Sequence, residues 1–89
     1  MLVMVKAYLS IATRGASPVQ LTILIEKLRK TEGVGLADSV SGEFNVIAIV
    51  NASDVDALSG MVTHLKEDNQ IIERIVTSIS ETQTPAVGG

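Results

Sequence analysis

The residues best suited to binding chemistry lie in one short polar stretch, Ser41-Gly42-Glu43-Phe44-Asn45. Gly42 permits the positive φ angle of a tight turn, and the backbone amides around it could receive a carboxylate. The Glu43 carboxylate could meet an ammonium group, and the Asn45 side chain offers both a donor and an acceptor. This set would suit a small zwitterion. The same pattern is also typical of a plain hairpin turn, and the residues alone leave both interpretations open.

Outside this stretch the chain carries few side chains that could do chemistry. His64 is the single histidine, there is no cysteine, and Asp54 and Asp56 lack the spacing of a metal site. We therefore predict no catalytic residues, no metal and no cofactor. The net charge of −3, without a basic stripe, disfavours direct binding of nucleic acid. The apolar run at residues 1–5 is too short to span a membrane, so we expect a cytoplasmic protein.

The elements that must position the polar stretch follow from apolar periodicity. Alternating apolar residues predict strands, and stripes at i, i+3, i+4, i+7 predict helices. Ser17-Pro18-Val19-Gln20 has the pattern of a capping box at a helix start. The expected elements are a strand at about 3–11, a helix at 18–32, strands at 34–41 and 44–50, a helix at 55–66 and a strand at 71–80.

This βαββαβ order predicts an α+β domain with a ferredoxin-like fold. Two right-handed crossovers would give an antiparallel four-stranded sheet in the order 4-1-3-2, with both helices on one face. The first and third strands, which are the most apolar, would then lie in the middle. We assign residues 1–82 to this domain and residues 83–89 to a flexible C-terminal tail.

The sheet face without helices would be unusually apolar. It would carry Met4, Tyr8, Ile47 and Ile49, and either Ile72 and Val76 or Ile71 and Ile75 from the last strand. A monomer rarely leaves so large an apolar patch in water. The pattern therefore predicts a homodimer in which two sheets stack through an interface formed by Met4, Tyr8, Ile47 and Ile49.

Several stretches resemble the effector-binding domain of the Lrp/AsnC family of regulators, also called the RAM domain: Gly33-Val34, residues 41–45, Ser53-Asp54 and residues 72–77. The resemblance covers about residues 4–82. The family's central motif is a glycine, an acidic residue, an aromatic and an aspartate, which correspond to residues 42–45, with Asn45 in place of the aspartate. A threonine of the last strand corresponds to Thr77. No helix-turn-helix segment precedes the first strand, so the chain resembles the stand-alone members.

The resemblance implies a non-enzymatic, oligomeric domain that senses an amino acid or a similar small molecule. Members of the family dimerise through their sheets, build rings of dimers and bind ligands in clefts between dimers. The implied ligand site is lined by Ser41, Gly42, Glu43, Phe44, Asn45 and Thr77. The implied protein partners are full-length Lrp/AsnC regulators, which supply the DNA-binding domain that this chain lacks.

Two other classes of protein share this strand order and stay open as alternatives. One is a small dimeric ferredoxin-like barrel enzyme of the monooxygenase type, and the other is an ACT-type regulatory domain. The enzyme needs an enclosed pocket with a positioned His, Asp or Asn, whereas His64 is expected to point outward. The spacing around Gly42 fits the RAM domain better than the ACT domain. A ligand bound between dimers would favour the RAM domain, and one bound inside each protomer would favour the enzyme.

Overall fold

Four strands and two helices make up residues 4–81, the part of the chain that this computed structural model describes. In chain order they are β1 (Val5–Thr13), α1 (Pro18–Arg29), β2 (Val34–Ser39), β3 (Val46–Ala52), α2 (Val55–Asp68) and β4 (Ile72–Ile79). All neighbouring strands are antiparallel, and their order is β2-β3-β1-β4. The ferredoxin-like α+β fold and the 4-1-3-2 order predicted from the sequence are confirmed. The predicted tail at 83–89 and the start of the first strand at Val3 lie outside the described residues.

Both helices begin at side-chain caps, and the first is the one that the sequence indicates. Ser17 Oγ accepts a hydrogen bond from the Gln20 amide at 3.2 Å, and Gln20 Oε1 accepts one from the Ser17 amide at 2.8 Å. The predicted capping box is therefore present, with Pro18 in the first turn. Asp54 caps α2, because its Oδ1 accepts from the Ala57 amide at 2.7 Å. Asp54 thus provides an acceptor for one of the backbone N–H groups that lack a partner within the first turn of α2.

The chain leaves α1 through a turn that packs closely against the rest of the fold. Gly33 has a φ angle of +93°, and a Cβ atom built there would lie 2.9 Å from the carbonyl oxygen of Asn51 and 2.5 Å from Met61 Cε. The Asn51 amide also donates to the Gly33 carbonyl at 2.7 Å. Because both the backbone angle and the space exclude a side chain, glycine is required at this turn.

The core lies between the helices and one face of the sheet. Helix α1 packs on β2, and α2 packs on β3 and β4. The buried residues come from every element: Ala7, Leu9, Ile11, Leu24, Ile25, Leu28, Ala37, Val46, Ala48, Val50, Ala52, Leu58, Leu65 and Ile72. Each buried Leu, Ile or Val contributes about 1.5–3 kcal/mol to folding. The periodicity predicted this layer because every second strand residue points towards the helices.

The other face of the sheet, which we call the bare face, has no helix over it in the described residues. Tyr8 pairs with Ile49 on one side, and the next bare-face position of β1, Ser10, pairs with Ile47. Met4, just before β1, is exposed, as is Tyr8, while Ile47 and Ile49 are half-buried. The strand registers therefore place Tyr8, Ile47 and Ile49 on one surface, as the sequence pattern predicts.

Two irregularities in the ladder change the face on which some residues lie. The β2–β3 register shifts between Val34 and Leu36, so Val34 pairs with the buried Val50 while Leu36 pairs with Ile49 on the bare face. Strict alternation along β2 would place Val34 and Leu36 on the same face, but an extra residue interrupts the period of two and puts them on opposite faces.

A second shift, at Ala12 and Thr13, decides the orientation of β4. Val76 pairs with Ser10 and lies on the bare face, whereas Ile72 pairs with Thr13 and is buried in the core. The sequence pattern places Ile72 and Val76 on one face, and the bulge separates them. Of the last strand's apolar residues predicted for the bare face, Val76 is the one found there.

The connections are sorted between the two ends of the sheet. The end of β1, the start of β4 and the β2–β3 connection lie at one end, which we call the loop end. The start of β1 and the finish of β4 lie side by side at the opposite end, where the Ser80 amide donates to the Lys6 carbonyl at 2.8 Å. Neither helix of residues 4–81 is long and apolar enough to cross a bilayer.

Candidate functional site

The polar stretch forms a six-residue loop at the loop end, because both flanking strands stop short of the predicted limits. Ser39 and Val46 are the last ladder pair, so residues 40–45 lie outside the sheet. The Val40 amide donates to the Asn45 carbonyl at 2.9 Å and closes the loop. Gly42 has a φ angle of +127°, which confirms the predicted positive φ, and a Cβ atom there would meet nothing within 4 Å. Glycine is needed at this position for the backbone angle, not for space.

Asn45 anchors the loop to the end of β1. Its Oδ1 accepts a hydrogen bond from the Thr13 amide at 3.2 Å, and its Nδ2 donates to Thr13 Oγ1 at 2.7 Å. The side chain is half-buried. Both kinds of polar group on Asn45 are therefore engaged within the protomer, and the loop is fixed at its C-terminal side.

Glu43 and Phe44 both contact Arg74, the third residue of β4. Arg74 Nη2 donates to Glu43 Oε2 at 2.5 Å, and the guanidinium carbon lies 4.9 Å from the centroid of the Phe44 ring. The side chains of Arg74 and Glu43 are 55% and 73% exposed. An exposed ion pair contributes only about 0–1 kcal/mol, and an exposed cation–π contact about 0.5–1 kcal/mol. This cluster therefore sets the geometry of the loop end more than it sets stability.

Thr77 lies apart from the loop within one protomer. It pairs with Leu9, four residues along β1 from Thr13, which is roughly 14 Å at ~3.4 Å per residue. Because Leu9 is in the core, Thr77 belongs to the sheet face that carries the helices, although its side chain is exposed at the edge strand. The fold thus brings residues 41–45 together and leaves Thr77 at a distance.

Two residues of the loop end were not predicted from the sequence as site residues. Thr13 holds Asn45, and Arg74 holds Glu43 and Phe44. A lone arginine in a strand can bind an anion but is more often a solvated surface residue, and the sequence pattern gives Thr13 no role. The strand order carried the missing signal, since the order 4-1-3-2 places the end of β1, the start of β4 and the β2–β3 connection at the same end of the sheet.

The larger grooves of the protomer lie on the helical side. A groove of about 710 Å³ runs between α1 and α2, and its lining includes Lys27, Lys30, His64 and Asp68. His64 is exposed, as predicted. A second groove, of about 640 Å³, lies beside Gly33. Neither groove is lined by the 40–45 loop, and residues 4–81 contain no cluster of three or more potential metal ligands.

Comparison with known proteins gives matches in structure but not in sequence. No protein-family model matches the chain, and no curated protein matches it. An AsnC family transcriptional regulator from Agrobacterium tumefaciens superposes with a TM-score of 0.81 at 18% identity, over 92% of this chain and 53% of the regulator. The L-Met complex of the transcriptional regulator NMB0573 from Neisseria meningitidis superposes with a TM-score of 0.74 at 16% identity, over 93% of this chain and 55% of the regulator.

A third similar structure is close to this chain in length. The protein TTHA0845 from Thermus thermophilus superposes with a TM-score of 0.77 at 26% identity, over 91% of this chain and 98% of that protein. The chain therefore spans about half the length of the two regulators and nearly all of the Thermus protein. These likenesses define the class of fold: it is the fold of one part of the Lrp/AsnC-type transcriptional regulators.

Proposed function

We propose that this chain is a non-enzymatic regulatory domain that binds an amino acid or a similar small zwitterion and responds through its assembly. One observation carries the proposal. The chain has the fold of AsnC-type regulators and also presents an apolar sheet face that is uncovered in residues 4–81. The Neisseria regulator of the same fold is a complex with L-methionine, which supports an amino acid as the ligand here.

The bare face supports the proposed homodimer. It carries three of the four residues of the expected interface, Tyr8, Ile47 and Ile49, and further exposed apolar side chains on either side, Leu36 and Val76. Met4 lies before the ladder and lines the groove beside Gly33. Two such faces can stack about 10 Å apart, with side chains from both sheets interdigitating. Dimers of this kind would then associate into a ring.

The proposed ligand site lies between dimers and is lined by Ser41, Gly42, Glu43, Phe44, Asn45 and Thr77. The separation of about 14 Å between Thr77 and the Thr13 end of β1 supports a site shared between copies. Within one protomer, Thr77 and the loop do not meet around a small ligand. A cleft in which one protomer supplies the loop and another supplies Thr77 would bring both to the same molecule.

In this proposal residues 1–82 form the ligand-binding part of a regulatory assembly. Ligand binding would change the assembly of the chain itself, or its association with full-length Lrp/AsnC-type regulators. Those partners would supply the contacts to DNA, since a chain of net charge −3 is poorly suited to binding phosphate groups.

The test is isothermal titration calorimetry of the purified protein against each of the twenty amino acids, with multi-angle light scattering of the same samples. We expect saturable binding of one or a few amino acids together with a mass that corresponds to a multiple of dimers. If no amino acid binds at millimolar concentration, the sensing proposal is wrong, and the chain would be a structural oligomerisation module.

A further inference from the structure

We infer that Glu43 and Arg74 read the two charges of the ligand, with the Arg74 guanidinium binding its carboxylate and the Glu43 carboxylate binding its ammonium group. The inference rests on the proposed function and deepens it. It adds Arg74 to the site, and it narrows the ligand class to molecules that carry an ammonium and a carboxylate group on the same carbon, as a free α-amino acid does.

The first argument is that the other polar side chain of the motif is already engaged. Asn45 already uses its oxygen and its nitrogen on Thr13, and it is neutral, so it has no charge to offer an ammonium group. Glu43 is exposed, and its partner within the described residues is Arg74. Among the described side chains that contact the loop, these two carry the charges that a ligand could meet.

The second argument is the complementarity between an ion pair and a zwitterion. When a zwitterion enters between Arg74 and Glu43, each side chain exchanges one opposite charge for another, and no charge is left unpaired. Because the pair is exposed, opening it would reduce ligand affinity by about fivefold at most. The planar guanidinium then binds the carboxylate through two parallel hydrogen bonds, which is its preferred geometry.

The third argument is that Arg74 is held in place by more than Glu43. The Phe44 ring lies 4.9 Å from the guanidinium carbon, and the backbone of Arg74 is paired with Ala12 in the sheet. These contacts do not involve the Glu43 carboxylate and persist when Glu43 turns to a ligand. The guanidinium is therefore preorganised to receive a carboxylate, which favours binding because less freedom is lost.

The arrangement makes a specific demand on the ligand. An N-acetyl amino acid keeps the carboxylate but lacks the ammonium, and an amino-acid methyl ester keeps the ammonium but lacks the carboxylate. Either molecule would separate Arg74 from Glu43 and leave one of them without a partner. We expect each derivative to bind about 10- to 100-fold more weakly than the free amino acid, the loss typical for a hydrogen bond to a charged group.

The experiment uses the wild-type protein, the tightest-binding amino acid found by calorimetry, and the N-acetyl and methyl ester derivatives of that amino acid. Three single variants are titrated beside it: Arg74→Gln, Glu43→Gln and Arg14→Gln. Arg14 is the matched control, because it is exposed at the same end of the sheet and its Nε donates to the Gln70 carbonyl at 3.2 Å. We expect a loss of about 10- to 100-fold for the first two variants and less than about twofold for the control.

A double variant that exchanges the charges, Glu43→Arg with Arg74→Glu, gives a further readout. It keeps both charges in the site, so it should bind the amino acid more tightly than either single Gln variant. Light scattering on every variant shows whether assembly is unchanged. If a variant changes the mass, its affinity is not used. The affinities of the wild-type protein for the N-acetyl and methyl ester derivatives then decide whether both charges of the ligand are bound.

The outcomes separate this inference from the function on which it rests. If the wild-type protein binds an amino acid but binds its N-acetyl derivative equally well, or if Arg74→Gln and Glu43→Gln keep wild-type affinity, the inference is overturned and the sensing function stands. If the wild-type protein binds no amino acid at all, both are overturned.

Discussion

A lysine in place of Ile47 tests whether the bare face is a dimer interface while leaving the protomer fold intact. Ile47 pairs with Asp38 on β2 and with Ser10 on β1, and it is half-buried in the protomer. A lysine there would face the exposed carboxylate of Asp38 across the two strands, and opposite charges in such a pair are stabilising. Glutamate would repel Asp38 and would confuse dissociation with unfolding, so Ile47→Lys is the sharper substitution.

The size of the effect follows from the burial of Ile47. Complete burial of an isoleucine side chain contributes about 1.5–3 kcal/mol, and a two-fold interface contains the residue twice. Because at most about a third of each Ile47 side chain is still exposed in the protomer, dimer formation gains at most roughly 1–2 kcal/mol from the pair. Loss of that term alone weakens the dimer by up to about 5- to 30-fold, before the cost of desolvating two ammonium groups.

Sedimentation velocity over a micromolar concentration range measures the dissociation constant, and urea unfolding checks the fold. Ile23→Lys is the matched control, because Ile23 is 52% exposed on α1, on the opposite side of the sheet from the bare face. We expect Ile47→Lys to shift towards a folded monomer and Ile23→Lys to keep the dimer. A wild-type protein that sediments as a monomer at micromolar concentration, or an Ile47→Lys variant of wild-type affinity, would refute the stacking of bare faces.

Four further outcomes follow from the structure. Gly42→Val should abolish amino-acid binding in calorimetry, because a φ angle of +127° costs a valine about 1–3 kcal/mol and the loop will change shape. Asn45→Asp should fold, since a carboxylate still accepts from the Thr13 amide, and it should bind the amino acid more tightly because it places a second negative charge two residues from Glu43, which attracts the ammonium; an unchanged dissociation constant would contradict this. Gly33→Ala should lower the free energy of unfolding by at least about 1–3 kcal/mol, and the melting temperature by roughly 4–8 °C for each kcal/mol. The pure protein should not shift the mobility of duplex DNA at low salt. A salt-dependent shift would count against the proposal that partner regulators supply the contacts to DNA.

The sequence predicted the layers of the fold because period and capping are local properties. Ser17 and Asp54 mark the two helix starts through side-chain hydrogen bonds to residues three positions later, which a pattern of residue types can reveal. The alternation in β3 is unbroken, so its buried and bare faces were assigned correctly. The strand order followed from the handedness of the two crossovers.

The details that the sequence missed depend on pairing between distant segments. No residue type predicts the register shift between Val34 and Leu36. A single extra residue moves the side chains beyond it to the opposite face of the sheet. Val40 and Phe44 are apolar and extend the predicted strands into the loop. Phe44 instead packs beside Arg74, so its apolar character serves a contact with β4 rather than a strand.

In the candidate site, too, the local features were predictable from the sequence and the contacts between distant segments were not. A positive φ angle at Gly42 was predictable, because glycine next to short polar residues is typical of such a backbone. The engagement of Asn45 by Thr13, and of Glu43 by Arg74, joins residues 32 and 31 positions apart and depends on which strand ends meet at the loop end. That information lies in the topology, which the sequence did supply, but only the structure gives the distances.

Because the connections are sorted between the two ends of the sheet, other molecules can be joined to this domain far from the 40–45 loop. The chain enters β1 and leaves β4 side by side, as the hydrogen bond between Lys6 and Ser80 shows, and the nine residues of β1 separate that point from the 40–45 loop by roughly 30 Å. A reporter, a surface tether or another folded unit joined at the entry or exit strand would therefore leave the loop unobstructed. The two positions are also near enough for a short linker to join them in a circular permutant, with new termini opened elsewhere at the surface.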